Sequence, residues 1–81
     1  YNAVKTFDNE SLDFVYIDSE HTYFAVLQEL RQWYPKIKKE RILAGHDFTT
    51  ISVGEAVKSF CMEMKIDKLH AQDQDWWFFK K

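Results

Sequence analysis

An α/β fold, with a parallel strand–helix–strand unit followed by a second helix and an antiparallel hairpin, is predicted by three features of the 81-residue sequence. Two short apolar runs, Phe14-Val15-Tyr16-Ile17 and Ile42-Leu43-Ala44-Gly45, each end in polar, ligand-type residues: Asp18-Ser19-Glu20-His21 after the first and His46-Asp47 after the second. A single helical pattern joins them. A strand, helix and strand in that order put both polar clusters at the carboxyl edge of a parallel sheet, where open α/β sheets bind ligands. The third feature is the aromatic run Trp76-Trp77-Phe78-Phe79 behind the polar stretch Gln72-Asp73-Gln74-Asp75, which reads as a strand entered from a short turn.

Each element has its own signature. Ala3, Val4 and Phe7 fall at helical spacing, as in the last turns of a helix, and Asp8-Asn9-Glu10-Ser11 reads as a turn. Residues 12–18 form the first strand, whose unbroken apolar stretch predicts cover on both faces. Residues 22–38 form a helix with Thr22 as N-cap. Tyr23, Leu27, Leu30 and Tyr34 make one apolar stripe, and Val26, Leu30, Trp33 and Ile37 its neighbour. Pro35 must kink or tighten that helix, because proline has no backbone N–H to donate.

Residues 36–40 turn the chain back and 41–45 form the second strand. After a loop over 46–51, Ser52 and Glu55 spell a capping box that starts a second helix. Val53, Ala56, Val57, Phe60, Cys61 and Met64 carry its apolar face to about residue 65; Cys61 is expected as a buried thiol, and Met62 and Met64 as core filling. Residues 68–72 and 76–79 complete the hairpin.

Composition limits the function classes. The chain is 46% hydrophobic and 17% aromatic, too apolar for a disordered segment and sized for one domain. Eleven basic and thirteen acidic residues give a net charge of −2, which supplies no field for a phosphate backbone and argues against a nucleic-acid partner. Lys36, Lys38, Lys39 and Arg41 cluster, as expected at a solvated helix end. The single cysteine precludes an internal disulfide and fits a reducing, cytoplasmic setting. No stretch is long and apolar enough to span a bilayer, and no signal-peptide pattern opens the chain, so no membrane partner is expected.

The polar clusters carry the chemistry. Parallel neighbours lie about 5 Å apart, so Asp18, His21, His46 and Asp47 can converge in one cleft. Carboxylates there suit a hard cation such as Mg²⁺. An imidazole beside a polarised hydroxyl suits general-base work. Structural roles compete: Asp18 as a helix cap, His46 as a hydrogen-bonding residue under the loop, and Glu20 as a solvent-facing side chain.

Taken together, Ile17-Asp18-Ser19-Glu20-His21, Trp33-Tyr34-Pro35 and Ala44-Gly45-His46-Asp47-Phe48 resemble the class I S-adenosyl-L-methionine-dependent methyltransferases, in the branch that methylates small-molecule hydroxyls. Val53-Gly54-Glu55-Ala56-Val57 and Trp76-Trp77 are similar to later segments of that family. The resemblance implies that residues 1–81 are one partial domain, the C-terminal half of a Rossmann-like methyltransferase sheet. It implies Asp18 and Asp47 as Mg²⁺ ligands, Asp18 also as a cofactor-binding position, His21 as the base for the acceptor hydroxyl, and His46 as a further ligand or orienting residue.

Two departures from the family pattern stand out. Ser19 occupies a position where glycine is usual, and Lys39-Glu40 replace a usual glycine pair, in a turn where side chains tolerate positive φ poorly. The family's glycine-rich cofactor turn has no counterpart, since the chain's two glycines are Gly45 and Gly54. The 81-residue chain is therefore expected to be inactive alone, and to self-associate through an exposed sheet edge. A non-catalytic interaction module, and a metal-assisted hydrolase using the same four residues, are the competing readings.

Overall fold

A computed structural model describes residues 7–17 and 22–81. The strands are β1 (Leu12–Ile17), β2 (Ile37–Gly45), β3 (His70–Gln72) and β4 (Asp75–Phe79), and the helices are α1 (Tyr23–Trp33) and α2 (Ile51–Glu63). Among the described residues the strands make one sheet in the order β1-β2-β4-β3. β1 and β2 run parallel, and β4 is antiparallel to both of its neighbours. The strand–helix–strand unit, second helix and hairpin are those the sequence predicts. The helix expected over residues 1–7 falls, Phe7 apart, outside the described residues, as does the segment Asp18-Ser19-Glu20-His21.

Thr22 caps α1 as expected, its hydroxyl accepting from the Ala25 N–H at 3.3 Å, and Val26, Leu27 and Leu30 are buried on the inner stripe. The helix stops at Trp33 rather than near residue 38. Pro35 cannot extend the i→i−4 ladder, so Tyr34–Lys36 close as one 3-10 turn and Ile37 is already extended, with φ −88° and ψ 138°.

β2 accordingly begins at Ile37 rather than at residue 41. Ile37 pairs with Leu12 and Ile42 with Phe14, so two steps along β1 span five along β2. The extra residues form a bulge that lets the buried Ile37 and the following Leu43 both reach the core. Glu40 sits at φ 66°, the positive-φ position expected near Lys39-Glu40.

The predicted reversal is therefore a bulge inside a strand. Of the basic cluster only Lys36 ends a helical turn; Lys38, Lys39 and Arg41 decorate the bulge, with Lys38 and Arg41 3.5 and 3.4 Å from Asp13. Beyond β4, Lys80 secures the bulge by exchanging backbone hydrogen bonds with Glu40 and Arg41, each 2.8 Å. Its buried ammonium donates to the Ile37 carbonyl at 2.8 Å.

Both helices lie on one side of the sheet. Ile17, Leu43, Trp76 and Phe78 pack beneath α1 and α2, joined by Val57, Phe60 and Cys61. Alternation along the strands sends Phe14 and Tyr16 of β1, Ile42 and Ala44 of β2, and Trp77 and Phe79 of β4 to the other face. On it Phe14, Tyr16 and Phe79 are about half exposed, at 55%, 46% and 48%. The expectation that β1 is covered on both faces fails because no described helix lies on that side.

The capping-box prediction is also corrected. Gly54 donates to the Thr50 carbonyl at 2.9 Å, so Thr50 is the N-cap, without a side-chain cap bond, and Ser52 lies inside the first turn of α2. The helix ends at Glu63, within the ordinary spread of boundary assignment. Met62 points to solvent at 81% exposure and Met64 is only partly covered, so neither fills the core as expected.

Candidate functional site

The last residues of β1 and β2, Ile17 and Gly45, are register partners. The His46 N–H extends the ladder to the Ile17 carbonyl at 3.3 Å. The two strand ends that the sequence assigns to one rim are thus immediate neighbours. Asp18 and His21, predicted from the first of them, lie outside the described residues. His46 and Asp47, predicted from the second, are described and adjoin one another.

Each ring nitrogen of His46 faces a carboxylate. Nδ1 lies 3.0 Å from Asp75 Oδ1, a good hydrogen bond. Nε2 lies 3.6 Å from Asp47 Oδ1. The Tyr16 hydroxyl donates to the same Asp75 oxygen at 3.0 Å, reaching from β1 across Ala44 of β2 to the start of β4. Ala44 makes room for that crossing, since a larger side chain would block the ring.

Asp47 adopts φ 63°, and its carbonyl accepts from the Thr50 N–H at 2.9 Å, so the loop turns directly into α2. Below the rim, the Trp76 indole donates to the His46 carbonyl at 3.2 Å. The Phe48 N–H holds the Gln74 carbonyl of the hairpin turn at 2.9 Å.

Sequence reasoning misses Asp75, which reads there as a turn residue. The signal that could have found it is antiparallel pairing of the aromatic strand beside β2: Trp76 opposite Gly45 brings the preceding carboxylate alongside His46. The His46 hydrogen bond, and then the Tyr16 hydroxyl, hold the Asp75 carboxyl below its ordinary range. The contact therefore favours the folded state above the unfolded carboxylate range and fades as pH falls through the lowered folded value.

Cys61 lies on the buried stripe of α2, as expected. Burial pushes its thiol up to about 11, so at neutral pH it is a packed thiol and not a nucleophile. The chain's two glycines are both engaged in packing. A Cβ at Gly45 would overlap the Trp76 indole, and one at Gly54 would press on the Phe48 carbonyl oxygen at 2.8 Å.

Among the described residues, no three His, Cys, Asp or Glu side chains gather in a way that could hold a metal ion. His46 and Asp47 supply one nitrogen and one carboxylate, short of a complete ligand set. Among the described residues no helix is long and apolar enough to cross a membrane.

A family model described as a methyltransferase domain matches residues 1–48, more than half of the chain, including β1, α1, β2 and the rim that follows them. The chain belongs to this methyltransferase family. Its described fold, a mixed sheet with parallel β1 and β2, agrees with that membership and with the resemblance drawn from the strand-end motifs.

Among solved structures, this methyltransferase chain is similar to one titled "Structure of the O-methyltransferase NovP". The TM-score is 0.75 at 17% identity, with 89% of this chain and 31% of that one covered. At that identity the likeness concerns the fold. The chain spans about a third of the length of that O-methyltransferase. No curated protein sequence matches it.

Proposed function

We propose that this methyltransferase-family chain is the acceptor-side, C-terminal part of an S-adenosyl-L-methionine-dependent O-methyltransferase domain that acts on a small-molecule hydroxyl. The observation that carries the reading is the adjacency of the β1 and β2 ends, with His46 and Asp47 at the rim, inside the segment the family model matches. S-adenosyl-L-methionine, when bound, supplies an electrophilic methyl group. The chain's own residues hold the acceptor oxygen and take its proton.

In this proposal His21 accepts the hydroxyl proton. Asp18, which follows Ile17 in sequence, would contribute to the cofactor site, and with Asp47 it would hold Mg²⁺, which would lower the pKa of a bound hydroxyl. His46 completes or orients that set. A longer chain that carries these residues behind a strand and glycine-rich turn is expected to transfer labelled methyl to a hydroxyl acceptor. His21→Ala should lower its rate about 10²–10⁴-fold, and Asp47→Ala should abolish dependence on added Mg²⁺. Full activity in both variants would refute the roles.

The 81 residues alone are proposed to be inactive, because Gly45 and Gly54 are both held by packing and neither opens a cofactor loop. Calorimetry should detect no S-adenosyl-L-methionine binding at micromolar concentration. A micromolar dissociation constant would overturn this part of the reading.

One observation favours a second reading, an interaction module: an apolar face of the sheet on which no described helix lies. Phe14, Tyr16, Ile42, Ala44, Asp75 and Trp77 line a groove of about 300 Å³ on it, beside β1 at the end of the strand order among the described residues. An open strand next to an apolar face templates pairing. Sedimentation velocity is expected to show concentration-dependent association, and a clean monomer at high concentration would count against it.

A further inference from the structure

We infer that Asp75 is a positioning residue for His46, fixing the ring by its Nδ1–H so that Nε2 is the nitrogen that meets an electropositive atom at the rim. The role rests on the proposed reading of that rim as the acceptor site, and it adds a residue from a strand outside the parallel unit.

The hydrogen bond has a definite direction. An ionised carboxylate can only accept, so in the 3.0 Å contact the proton sits on Nδ1. Asp75 is itself held in place. It opens β4 opposite Gln72, beyond a turn in which Asp73 takes φ 55°. The Phe48–Gln74 backbone bond ties that turn to the loop after β2. The Tyr16 hydroxyl fixes the accepting oxygen from a third strand.

The backbone that carries the ring is anchored from below as well, since the Trp76 indole donates to the His46 carbonyl. Nε2, on the other side of the ring, lies 3.6 Å from Asp47 Oδ1. A neutral histidine whose Nδ1–H is taken by a carboxylate carries its lone pair on Nε2. Proton acceptance from a hydroxyl and ligation of a cation both need that nitrogen.

The test reads the tautomer in the 81-residue chain. Long-range ¹H–¹⁵N spectra of the histidine rings, recorded across pH so that neutral rings are sampled, would be assigned with His46→Gln. Wild type should show His46 in the Nδ1–H form. Asp75→Asn should lower the share of that form, because its amide can turn an N–H toward Nδ1 where a carboxylate can only accept, and Asp75→Ala should move His46 toward the mixed tautomers of free imidazole. The Asp75 side chain is 55% exposed, so these variants should fold; if Asp75→Ala does not, wild type and Asp75→Asn decide. An Nε2–H form in wild type, or an unchanged tautomer ratio in Asp75→Ala, would overturn the inference. Failure to find methyl transfer in a longer chain would count against the proposed reaction and leave the tautomer result standing, so the two failures are distinguishable.

Discussion

Trp76→Ala should cost about 3–5 kcal/mol of folding stability, the range for emptying a fully packed aromatic site. Trp76 is 1% exposed and lies under both helices, stacked 6.0 Å from Phe78. A chain of this length has roughly 4–12 kcal/mol in total, and each kcal/mol moves the melting temperature of a domain this size by about 4–8 °C. The expected result is a melting temperature lower by roughly 12–40 °C, or no cooperative transition at all, in near-ultraviolet circular dichroism. Trp76→Phe should lose much less, because a ring remains in the site; it sacrifices the indole N–H to the His46 carbonyl, a bond worth about 1 kcal/mol, and leaves a smaller void. An alanine variant melting within a few degrees of wild type would show that the sheet–helix core does not depend on this side chain.

The same residue explains how far the fold is legible in the sequence. Trp76-Trp77-Phe78-Phe79 announces a strand, and the alternation of buried Trp76 and Phe78 with the outward Trp77 and Phe79 follows from strand geometry alone. The run Phe14-Val15-Tyr16-Ile17 announces a strand equally well and misleads about its cover. An unbroken apolar run says that both faces can be buried; it does not say what elements are there to bury them. Helix α1 shows the opposite kind of error. Ile37 fits the helical stripe and the strand pattern alike, and what decides between them is Pro35, which stops the ladder, together with a bulge that no periodicity count can see.

The site divides along the same line. His46 and Asp47 are legible because they follow a strand in sequence, and a parallel unit has one carboxyl edge. Asp75 is illegible for a physical reason: its partner lies 29 residues away and meets it only through the antiparallel register of β4 on β2. Tyr16 is hidden in another way. In the sequence it is one of four apolar core candidates, and only its outward orientation on β1 lets its hydroxyl reach the Asp75 carboxylate. Polar atoms at the tips of aromatic side chains are the part of a strand pattern that hydrophobicity alone discards.

Gly45→Ala should destabilise the chain by about 1–3 kcal/mol, the ordinary cost of adding a methyl group where none fits. The backbone at Gly45 needs no special conformation, since no glycine here has positive φ, so the cost is steric. The added Cβ would overlap the Trp76 six-membered ring and approach the Ile17 carbonyl oxygen at 2.9 Å. If the indole is the principal obstacle, a smaller ring should relieve it. Gly45→Ala made in a Trp76→Phe background should therefore cost about 0.5–2 kcal/mol less than in wild type, a coupling of the size that contacting residues show. Urea denaturation of the four proteins measures that cycle. Strict additivity would mean that the Ile17 carbonyl, not the indole, sets the requirement for glycine. The outcome bears on the rim as well, because a Trp76 pushed aside by a Cβ can no longer hold the His46 carbonyl. His46 ring signals in Gly45→Ala should shift even though the substitution touches neither carboxylate partner, which would place the glycine's role in seating the imidazole through the core beneath it.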